Sequence, residues 1–395
     1  MRWADSKLAV ALLVLILSRS VDRVYYTRIT FDYNEFLWYF SNIICSIAYL
    51  VIFWPVVWYK MWFTNEITPE MTSFPHYKFA IMGLFDTLYN LLTAFPTPHI
   101  GGNMSNALGQ LNLPFNMLLS AILLSTRYKR SHYMGAVLVL YGALVTMIPV
   151  FRGETAANMP DPSVFWILFY IIALLPGVGS NVYKEIGLKD VDLDIWYANA
   201  WICTYQLLWG AFTIWTIQLP AFSDPPVSWQ EFPSYIALAH NCFLGYPVTF
   251  NGSDLPCGNG VFLTFLWYIL FNCVYNQIMM YVFKEGSSVL FVVSSAVCLP
   301  LTDMMYMVPF LAGPKASQTF TIYDGFALFV LIMGMLVYHS EKEERGDAAT
   351  QKSPMFLSPS MRKAQLMRRR KARPMTTFRS AVLKYGTAKD TNSVV

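Results

Sequence analysis

The chain has 395 residues, of which 55% are apolar and only 13% are charged. A soluble globular domain usually carries roughly 25% charged residues, so this chain has too few charges to cover a surface exposed to water. Composition therefore excludes an ordinary soluble domain and predicts an integral membrane protein. The 12 Trp and 24 Tyr residues are typical of a chain with two aromatic belts at the membrane interfaces.

Apolar stretches long enough to cross the hydrocarbon, roughly 20 residues each, recur about ten times along the chain. The predicted spans are Lys7–Tyr26, Phe36–Tyr59, Lys78–Phe95, Gly101–Ser125, Tyr133–Phe151, Ser163–Tyr183, Ile195–Leu219, Val261–Phe283, Gly286–Ala312 and Thr321–Tyr338. The first span has the shortest apolar run, Leu8–Leu17, and a cleaved signal peptide is the alternative interpretation of it. Residues 341–395 are polar and rich in Lys and Arg, which predicts a disordered cytosolic tail. The predicted fold class is therefore an all-α integral membrane protein.

Lys and Arg residues are distributed unequally between the two sides of this predicted bundle. If both termini are cytosolic, the cytosolic connections hold ten of them, the opposite side holds five and the tail holds 13, which accounts for all 28. The excess of positive charge on cytosolic loops predicts this orientation. Residues 220–260 contain no Lys or Arg, so this connection is predicted to be lumenal.

The predicted lumenal loop carries two cysteines and a glycosylation sequon. Cys242 and Cys257 lie 15 residues apart, and Asn251 begins the sequence Asn-Gly-Ser between them. An oxidising lumen permits a disulfide at these positions, although two free thiols also fit the sequence. Asn251 is accordingly a candidate glycosylation site.

Two parts of the chain resemble each other at an offset of 186 residues. Phe85-Asp86-x-x-Tyr89-Asn90 aligns with Phe271-Asn272-x-x-Tyr275-Asn276, and Leu113-Pro114 then aligns with Leu299-Pro300 without a gap. Because each half has five predicted spans, an odd number, equivalent helices would cross the membrane in opposite directions. The sequence thus predicts two inverted five-helix repeats, residues 1–151 and 163–340, around a midplane site.

The paired prolines Pro114 and Pro300 are predicted to bend their helices, because proline frees a backbone carbonyl inside a helix. A packing kink without a functional role is the alternative.

Polar side chains concentrate in the third, fourth, eighth and ninth spans, which are the repeated ones. The candidate residues for a substrate and proton cavity are Asp86, Asn90, Asn106, Gln110, Asn272, Asn276 and Asp303. Charges inside a membrane are costly, so such a set predicts a functional cavity, although polar groups that only join helices remain the alternative. Since no Lys or Arg lies deep in these four spans, we expect protons, amines, amino acids, peptides or amphipathic cations rather than phosphorylated sugars.

The chain lacks the motifs of an energy-driven pump or a hydrolase. It has no Walker motif, no metal-ligand spacing and no nucleophile elbow. We therefore expect no enzymatic activity, no cofactor, no metal and no nucleic-acid partner. The expected partners are a small-molecule solute, protons and the lipid bilayer.

Several motifs resemble the chloroquine resistance transporter-like family of the drug/metabolite transporter superfamily, over most of residues 20–340. They are Arg23-Val24-x-Tyr26, Gly83-Leu84-x-Asp86, Leu113-Pro114-Phe115-x-Met117, Tyr128 with Gly135-Ala136-Val137-Leu138, Val182-Tyr183-Lys184-Glu185 with Asp190-Val191-Asp192, Asn199-Ala200-Trp201 with Gln206, and the stretch from Cys242 and Cys257 through Phe271-Asn272 and Tyr275-Asn276 to Leu299-Pro300-Leu301. The resemblance implies ten helices in two inverted halves, cytosolic termini and a large lumenal loop between the seventh and eighth helices. Malarial members carry four cysteines in that loop, so the resemblance implies one bridge here.

The resemblance also implies proton- or gradient-coupled export of amino acids, peptides or thiols from a vacuole or a plastid. We therefore expect a secondary active transporter of small cationic or zwitterionic solutes, including amphipathic drugs, that works by alternating access in a vacuolar or lysosomal membrane. The alternatives are a non-transporting receptor or scaffold, a channel, and a plastid-envelope transporter of thiols such as glutathione precursors.

The charge distribution yields a direct test of topology. A protease-cleavable tag fused after Val395 should be cut only by protease added to the cytosolic side of sealed vesicles, because the basic tail favours that side. Cleavage by a protease confined to the lumen would contradict the predicted orientation.

Overall fold

The computed structural model describes residues 3–345 apart from residues 65, 97–98, 100–107, 146–147, 149–151, 153–163, 220–225, 251, 256, 259–260, 313–321 and 342. The predicted disordered tail lies outside the described residues, apart from its first few positions. In the described part the regular secondary structure is helical except for four short strands, so the all-α class predicted from composition is confirmed there.

The helices follow one another with short connections. The α-helices are α1 Trp3–Asp32, α2 Cys45–Tyr59, α3 Pro69–Thr72, α4 His76–Ala94, α5 Asn112–Leu123, α6 Arg130–Val145, α7 Val164–Val191, α8 Ile195–Phe212, α9 Phe232–Phe243, α10 Val261–Glu285, α11 Ser288–Tyr306, α12 Pro309–Ala312 and α13 Ile322–His339. Helix α2 is extended by π-helical turns at Tyr39–Ile44 and Lys60–Thr64, and 3-10 turns occupy Asn34–Phe36 and Thr213–Gln218. The strands are β1 Thr126–Arg127, β2 Val248–Phe250, β3 Ser253–Leu255 and β4 Glu344–Arg345, and β1 pairs antiparallel with β4 while β2 pairs antiparallel with β3.

Length and composition identify membrane spans among the described helices. Four segments are long and apolar enough to cross a membrane, namely Tyr39–Thr64, Val164–Lys189, Val261–Glu285 and Ser288–Tyr306. Two shorter apolar helices, Asn112–Leu123 and Gly325–His339, lie beside them in the chain. The count of about ten spans and the inverted repeat stay predictions.

Large apolar side chains cover the outside of the bundle. Val51, Phe165 and Phe329 are 67%, 62% and 63% exposed, although each lies within a long apolar helix. A soluble monomer rarely exposes apolar surface on this scale. Lipid is the solvent that stabilises such a surface, which agrees with the membrane class predicted from composition.

Small residues allow close helix packing inside the bundle. Gly135 of α6 lies against α13, where an added Cβ would come within 2.7 Å of the Tyr338 backbone nitrogen. Gly334 of α13 lies against α6 in the same way, with an added Cβ only 3.1 Å from the Gly135 carbonyl oxygen. Lipid provides no hydrophobic force between helices, so such close contact and the dispersion attraction it permits hold the pair together.

Helices that are distant in the chain pack against each other. Helix α1 packs against α10 and α11, while α7 packs against α4 and α5, and α8 packs against both α2 and α4. Helices near the start of the chain therefore contact helices near its end, and each of these contacts brings together side chains that are far apart in sequence.

Two predicted spans end too early. Helix α1 continues past Tyr26 to Asp32, and α7 continues past Tyr183 to Val191, so Lys184 lies within a helix, as Arg19 does. The reason is that each of these cations has an acidic partner in the bundle, Asp22 for Arg19 and Asp86 for Lys184. Paired charge is tolerated inside a membrane helix where an isolated charge is not.

The paired prolines take different positions. Pro300 lies inside α11, whereas Pro114 lies in the first turn of α5. A turn at Gln110 and Leu111 interrupts the regular α-helix just before α5 begins, although Leu111 keeps right-handed helical backbone angles. Proline is tolerated in the first turn of a helix because its missing N–H has no intrahelical acceptor there. Pro114 thus follows a break in the helix, and Pro300 interrupts a continuous one.

The predicted lumenal loop contains ordered structure. Helix α9 carries Cys242 near its end, and the β2–β3 hairpin precedes Cys257. The two sulfur atoms lie 2.00 Å apart, and both residues are fully buried. The candidate glycosylation site Asn251 lies outside the described residues.

A covalent bond between Cys242 and Cys257 should make the stability of the protein sensitive to reductant. In the chain-entropy model, closing a loop of this length contributes about 3 kcal/mol to the free energy of unfolding. Thermal unfolding in detergent should therefore shift to lower temperature when reductant is added to the wild type, and C242S/C257S should unfold at the lower temperature without it. The matched control is Cys45→Ala, which removes a buried free thiol and should keep the reductant sensitivity. Complete alkylation of both loop cysteines without reductant would contradict the bridge.

Candidate functional site

The first polar cluster is centred on Asp86, in the middle of α4. Its carboxylate accepts hydrogen bonds from Ser180 Oγ at 2.5 Å, Lys184 Nζ at 2.6 Å and Gln206 Nε2 at 2.7 Å. Ser180 and Lys184 lie one turn apart on α7, and Gln206 lies on α8. Three helices thus converge on one carboxylate, which we call the Asp86 cluster.

Glycines allow these three helices to approach each other. An added Cβ at Gly83 of α4 would lie 3.1 Å from the Tyr205 Cβ of α8. At Gly177 of α7 it would lie 2.6 Å from the ring of Tyr89 on α4. A larger side chain at either position would push the helices apart and separate the partners of Asp86.

The ion pair in this cluster is largely shielded from solvent. The Lys184 side chain is 5% exposed and that of Asp86 is 18% exposed. Burying either charge alone in this shielded site would cost roughly several kcal/mol, because a less polar medium replaces water around it. Each charge is therefore retained because the other is present, and loss of one partner would leave the other uncompensated.

The second polar cluster is centred on Asn272 of α10 and is called the Asn272 cluster. Asn272 Oδ1 accepts hydrogen bonds from the Tyr49 hydroxyl and from Asn276 Nδ2, both at 2.6 Å. Its Nδ2 donates to Asp22 Oδ2 at 2.7 Å. The fully buried Asp22 also pairs with Arg19 at 3.0 Å. This cluster therefore joins α10 to α1 and α2.

Arg19 has an aromatic partner as well as an acidic one. Its guanidinium carbon lies 4.6 Å from the centroid of the Tyr275 ring. A cation over an aromatic face is stabilised by the ring quadrupole, most strongly where water is excluded. The cation is therefore held between Asp22 and an aromatic residue of the repeated motif.

The two clusters have a common scaffold in α8. Gln206 donates to Asp86, and Asn199 Nδ2 lies 3.5 Å from the Asn276 carbonyl oxygen. Seven residues separate Asn199 from Gln206, which is about two helical turns and about 10 Å along one face. Residues on this face of α8 therefore reach both clusters.

Ion pairs tie helix ends together on the face of the bundle predicted to be cytosolic. Lys60 pairs with Asp194 at 2.7 Å, and Lys284 pairs with Asp192 at 2.8 Å. Lys189 pairs with Glu185 of its own helix at 2.8 Å and also donates a hydrogen bond to the Gly286 carbonyl oxygen after α10. The connection between α7 and α8 is thereby held from the end of α2 and from the end of α10. These contacts join the ends of α2, α7, α8 and α10.

The structure places the sequence-predicted residues in different settings. Asp86 belongs to the first cluster, Asn272 and Asn276 belong to the second, and Asn90 is exposed one turn beyond Asp86. Gln110 is half-buried at the break before α5. Asn106 and the side chain of Asp303 lie outside the described residues.

Sequence reasoning missed the residues that complete both clusters. They are Ser180, Lys184 and Gln206 around Asp86, and Arg19, Asp22 and Tyr49 around Asn272. The sequence observation that no Lys or Arg lies deep in the four repeated spans did not anticipate Lys184, which reaches Asp86 from α7, a helix outside those spans. The available signal was the family-like motif Val182-Tyr183-Lys184-Glu185 together with Gln206.

Other candidate sites differ in chemistry. A groove of about 480 Å³ is lined by Leu50, Val51, Trp54, Pro55 and Trp58 of α2. It offers apolar contact but no charged group to orient a polar solute, so we do not assign it as the solute site. Among the described residues, no group of three or more His, Cys, Asp or Glu side chains could hold a metal ion.

Comparison with known proteins gives relatives along most of the chain. "Crt homolog 3" of Dictyostelium discoideum is 29% identical over 347 residues, which is 82% of this chain and 70% of that protein. The "Chloroquine resistance transporter" of Toxoplasma gondii is 29% identical, over 78% of this chain and 37% of that protein. "Protein CLT1, chloroplastic" of Arabidopsis thaliana is 24% identical, over 80% of this chain and 69% of that protein.

The family model described as CRT-like, chloroquine-resistance transporter-like matches residues 8–338. This match covers both polar clusters and the loop between α8 and α10. The resemblance seen in the sequence motifs is thereby confirmed. The chain belongs to the CRT-like, chloroquine-resistance transporter-like family.

Proposed function

We propose that the protein is a secondary active transporter of small cationic or zwitterionic solutes and that it works by alternating access. The solutes are amino acids, peptides, thiols or amphipathic drugs, and export from an acidic organelle is coupled to protons. The observation that carries this proposal is the Asp86 cluster, where a carboxylate and an ammonium group meet between apolar helices.

Both charges of the pair are useful to a carrier of zwitterions. The ammonium group of an amino acid or peptide takes the place of Lys184 beside Asp86, and its carboxylate takes the place of Asp86 beside Lys184. The separated ions keep opposite partners, so binding does not leave either charge uncompensated. Ser180 and Gln206 supply neutral hydrogen-bonding groups that orient the solute.

Buried amides elsewhere support a polar interior. Within the described residues, Asn112 Oδ1, Asn116 Oδ1 and both polar atoms of Gln277 are buried without a hydrogen-bond partner in the protein. Leaving such a group unsatisfied costs about 1–3 kcal/mol. A polar solute or water that bonds these amides removes this cost.

The arrangement of the two clusters supports alternating access. Asp86 and Asn272 align in the predicted repeat, and each is the centre of a cluster with two further helices, α7 and α8 for Asp86 and α1 and α2 for Asn272. Two inverted repeats would produce such related contacts on opposite sides of the membrane. Exchange between the two access states would then break the contacts of one cluster while it forms the contacts of the other.

We propose that solute transport is coupled to protons at Asp86. A proton and the Lys184 ammonium group are alternative partners of the same carboxylate. Either ligand then biases the same equilibrium between two states. Asp303 is the second candidate acid in the proposed pathway.

The relatives support a location in an organellar membrane, and two organelles are candidates. The relatives' names "Chloroquine resistance transporter" and "Protein CLT1, chloroplastic" support a role in transport and a plastid alternative, respectively. We favour a vacuolar or lysosomal membrane, where an acidic lumen would supply the proton gradient. A plastid-envelope transporter of thiols such as glutathione precursors is the alternative, and a non-transporting receptor or scaffold is the alternative from another class.

Uptake into reconstituted vesicles tests the proposed activity. Purified protein should give saturable uptake of an amino acid, a dipeptide or glutathione that depends on an imposed pH gradient and shows counterflow. Counterflow distinguishes a carrier from a channel, because only a carrier exchanges one bound solute for another. Absence of uptake for every solute, with correctly inserted protein, would favour a receptor or scaffold.

Variants of the Asp86–Lys184 pair distinguish a structural role of this pair from a role in transport. D86N and K184M should each lower the free energy of unfolding by about 3–5 kcal/mol, because each leaves one buried charge uncompensated. The double variant D86N/K184M should recover most of this stability and should still fail to transport.

The matched control is Glu66→Gln, since Glu66 pairs with Lys60 on the surface and is 56% exposed. A surface pair contributes roughly 0–1 kcal/mol, so this variant should resemble the wild type in stability and transport. Recovery of both stability and wild-type transport in D86N/K184M would show that the pair is structural only.

A further inference from the structure

The chain turns back onto the bundle after α13 ends at His339. Residues Glu344–Arg345 form strand β4, which pairs antiparallel with β1, so that Arg345 lies opposite Thr126 and Glu344 lies opposite Arg127. We call Glu341 and residues 343–345 the strap. It joins the end of the last long helix to the connection between α5 and α6.

Glu343 anchors the strap to a second place in the bundle. One carboxylate oxygen, Oε1, accepts hydrogen bonds from Ser287 Oγ at 2.6 Å and from the Tyr338 hydroxyl at 2.7 Å. Ser287 also caps α11, because its Oγ accepts a hydrogen bond from the Leu290 backbone nitrogen at 3.0 Å. The strap therefore holds Ser287, the residue that caps the start of α11.

Glu341 gives the strap a third attachment. Its carboxylate pairs with Lys129 Nζ at 3.0 Å, and its carbonyl oxygen lies 3.1 Å from Nε2 of the buried His132. Lys129 precedes α6 and His132 lies in its first turn. Together with β1, these contacts hold the strap along residues 126–132.

The two anchoring places belong to different predicted repeats. Residues 126–132 lie in the first half of the chain, and the turn at Gly286–Ser287 lies in the second. Direct contacts also join the two halves, because α6 packs closely against α13 at Gly135 and Gly334, and the hydroxyl oxygens of Ser120 on α5 and Ser288 on α11 lie 3.3 Å apart. The strap thus crosses the junction between the halves.

We infer that the strap is a lock on the predicted cytosolic face, which holds the two halves together there and must detach before the interior opens to the cytosol. The inference rests on the proposed function, because alternating access requires the halves to separate on that face. A segment that binds both halves in one state and only one half in the other stabilises the closed state. Loss of the strap should therefore raise the population that is open to the cytosol.

A native thiol reports this opening without any measurement of transport. Cys203 lies on α8 between Asn199 and Gln206, on the face that reaches both polar clusters, and it is buried and free. The rate at which Cys203 reacts with a membrane-impermeant maleimide added to the cytosolic face can be measured by peptide mass spectrometry. Because the readout is labelling, a protein that proves not to be a transporter still gives a result.

Two truncations isolate the strap from the tail. A chain that ends at Ser340 should label at Cys203 about tenfold faster than the full chain, because several charge-assisted and backbone hydrogen bonds across the junction are lost. The matched control ends at Gly346, keeps the strap and should label at the rate of the full chain. Equal rates for both truncations and the full chain would overturn the inference.

Point variants of the full chain cover the case in which the shorter truncation does not fold. Glu343→Ala removes the acceptor of both the Ser287 and Tyr338 bonds and should raise the labelling rate several-fold. Glu343→Gln keeps an acceptor oxygen in the same position and should have a smaller effect. A Glu343→Ala protein that labels at the wild-type rate would contradict the lock, whatever its transport activity.

Discussion

The cost of placing charge inside an apolar bundle determines much of this structure. Lys184 is retained within α7 because Asp86 of α4 compensates it, and Arg19 is retained within α1 because Asp22 does the same. Each pair also recruits neutral donors from a further helix, Gln206 from α8 and Asn272 from α10. The packing of these helices and the position of the candidate site therefore depend on the need to satisfy a few buried charges.

Composition and periodicity were sufficient to predict an all-α membrane protein and the approximate helices. They also indicated Asp86 and Asn272, because polar residues in apolar spans are rare enough to be informative. They did not indicate Lys184 or Arg19, since a cation near the end of an apolar run has the same pattern as a loop residue that sets topology. Only the fold shows that Lys184 faces Asp86 on a helix distant in sequence, and that Arg19 and its near neighbour Asp22 share a buried cluster with Asn272.

The proline pair shows a second limit of sequence reasoning. Pro114 and Pro300 align in the predicted repeat, yet one follows a break in the helix and the other lies inside α11. The same residue type fits both positions, because proline is compatible with a first turn and is tolerated in a membrane helix whose freed carbonyl finds another donor. Alignment of polar and special residues therefore predicts related positions better than it predicts identical local geometry.

On the face predicted to be cytosolic, the ion pairs of Lys60 and Lys284, the hydrogen bond from Lys189 to Gly286 and the strap join the ends of several helices. A structure of the protein with a transported zwitterion bound tests the central claim most directly. The account predicts solute density between α4, α7 and α8, with the ammonium group within hydrogen-bonding distance of Asp86 and the carboxylate within that distance of Lys184. Density at another site, with the Asp86–Lys184 pair intact, would contradict it.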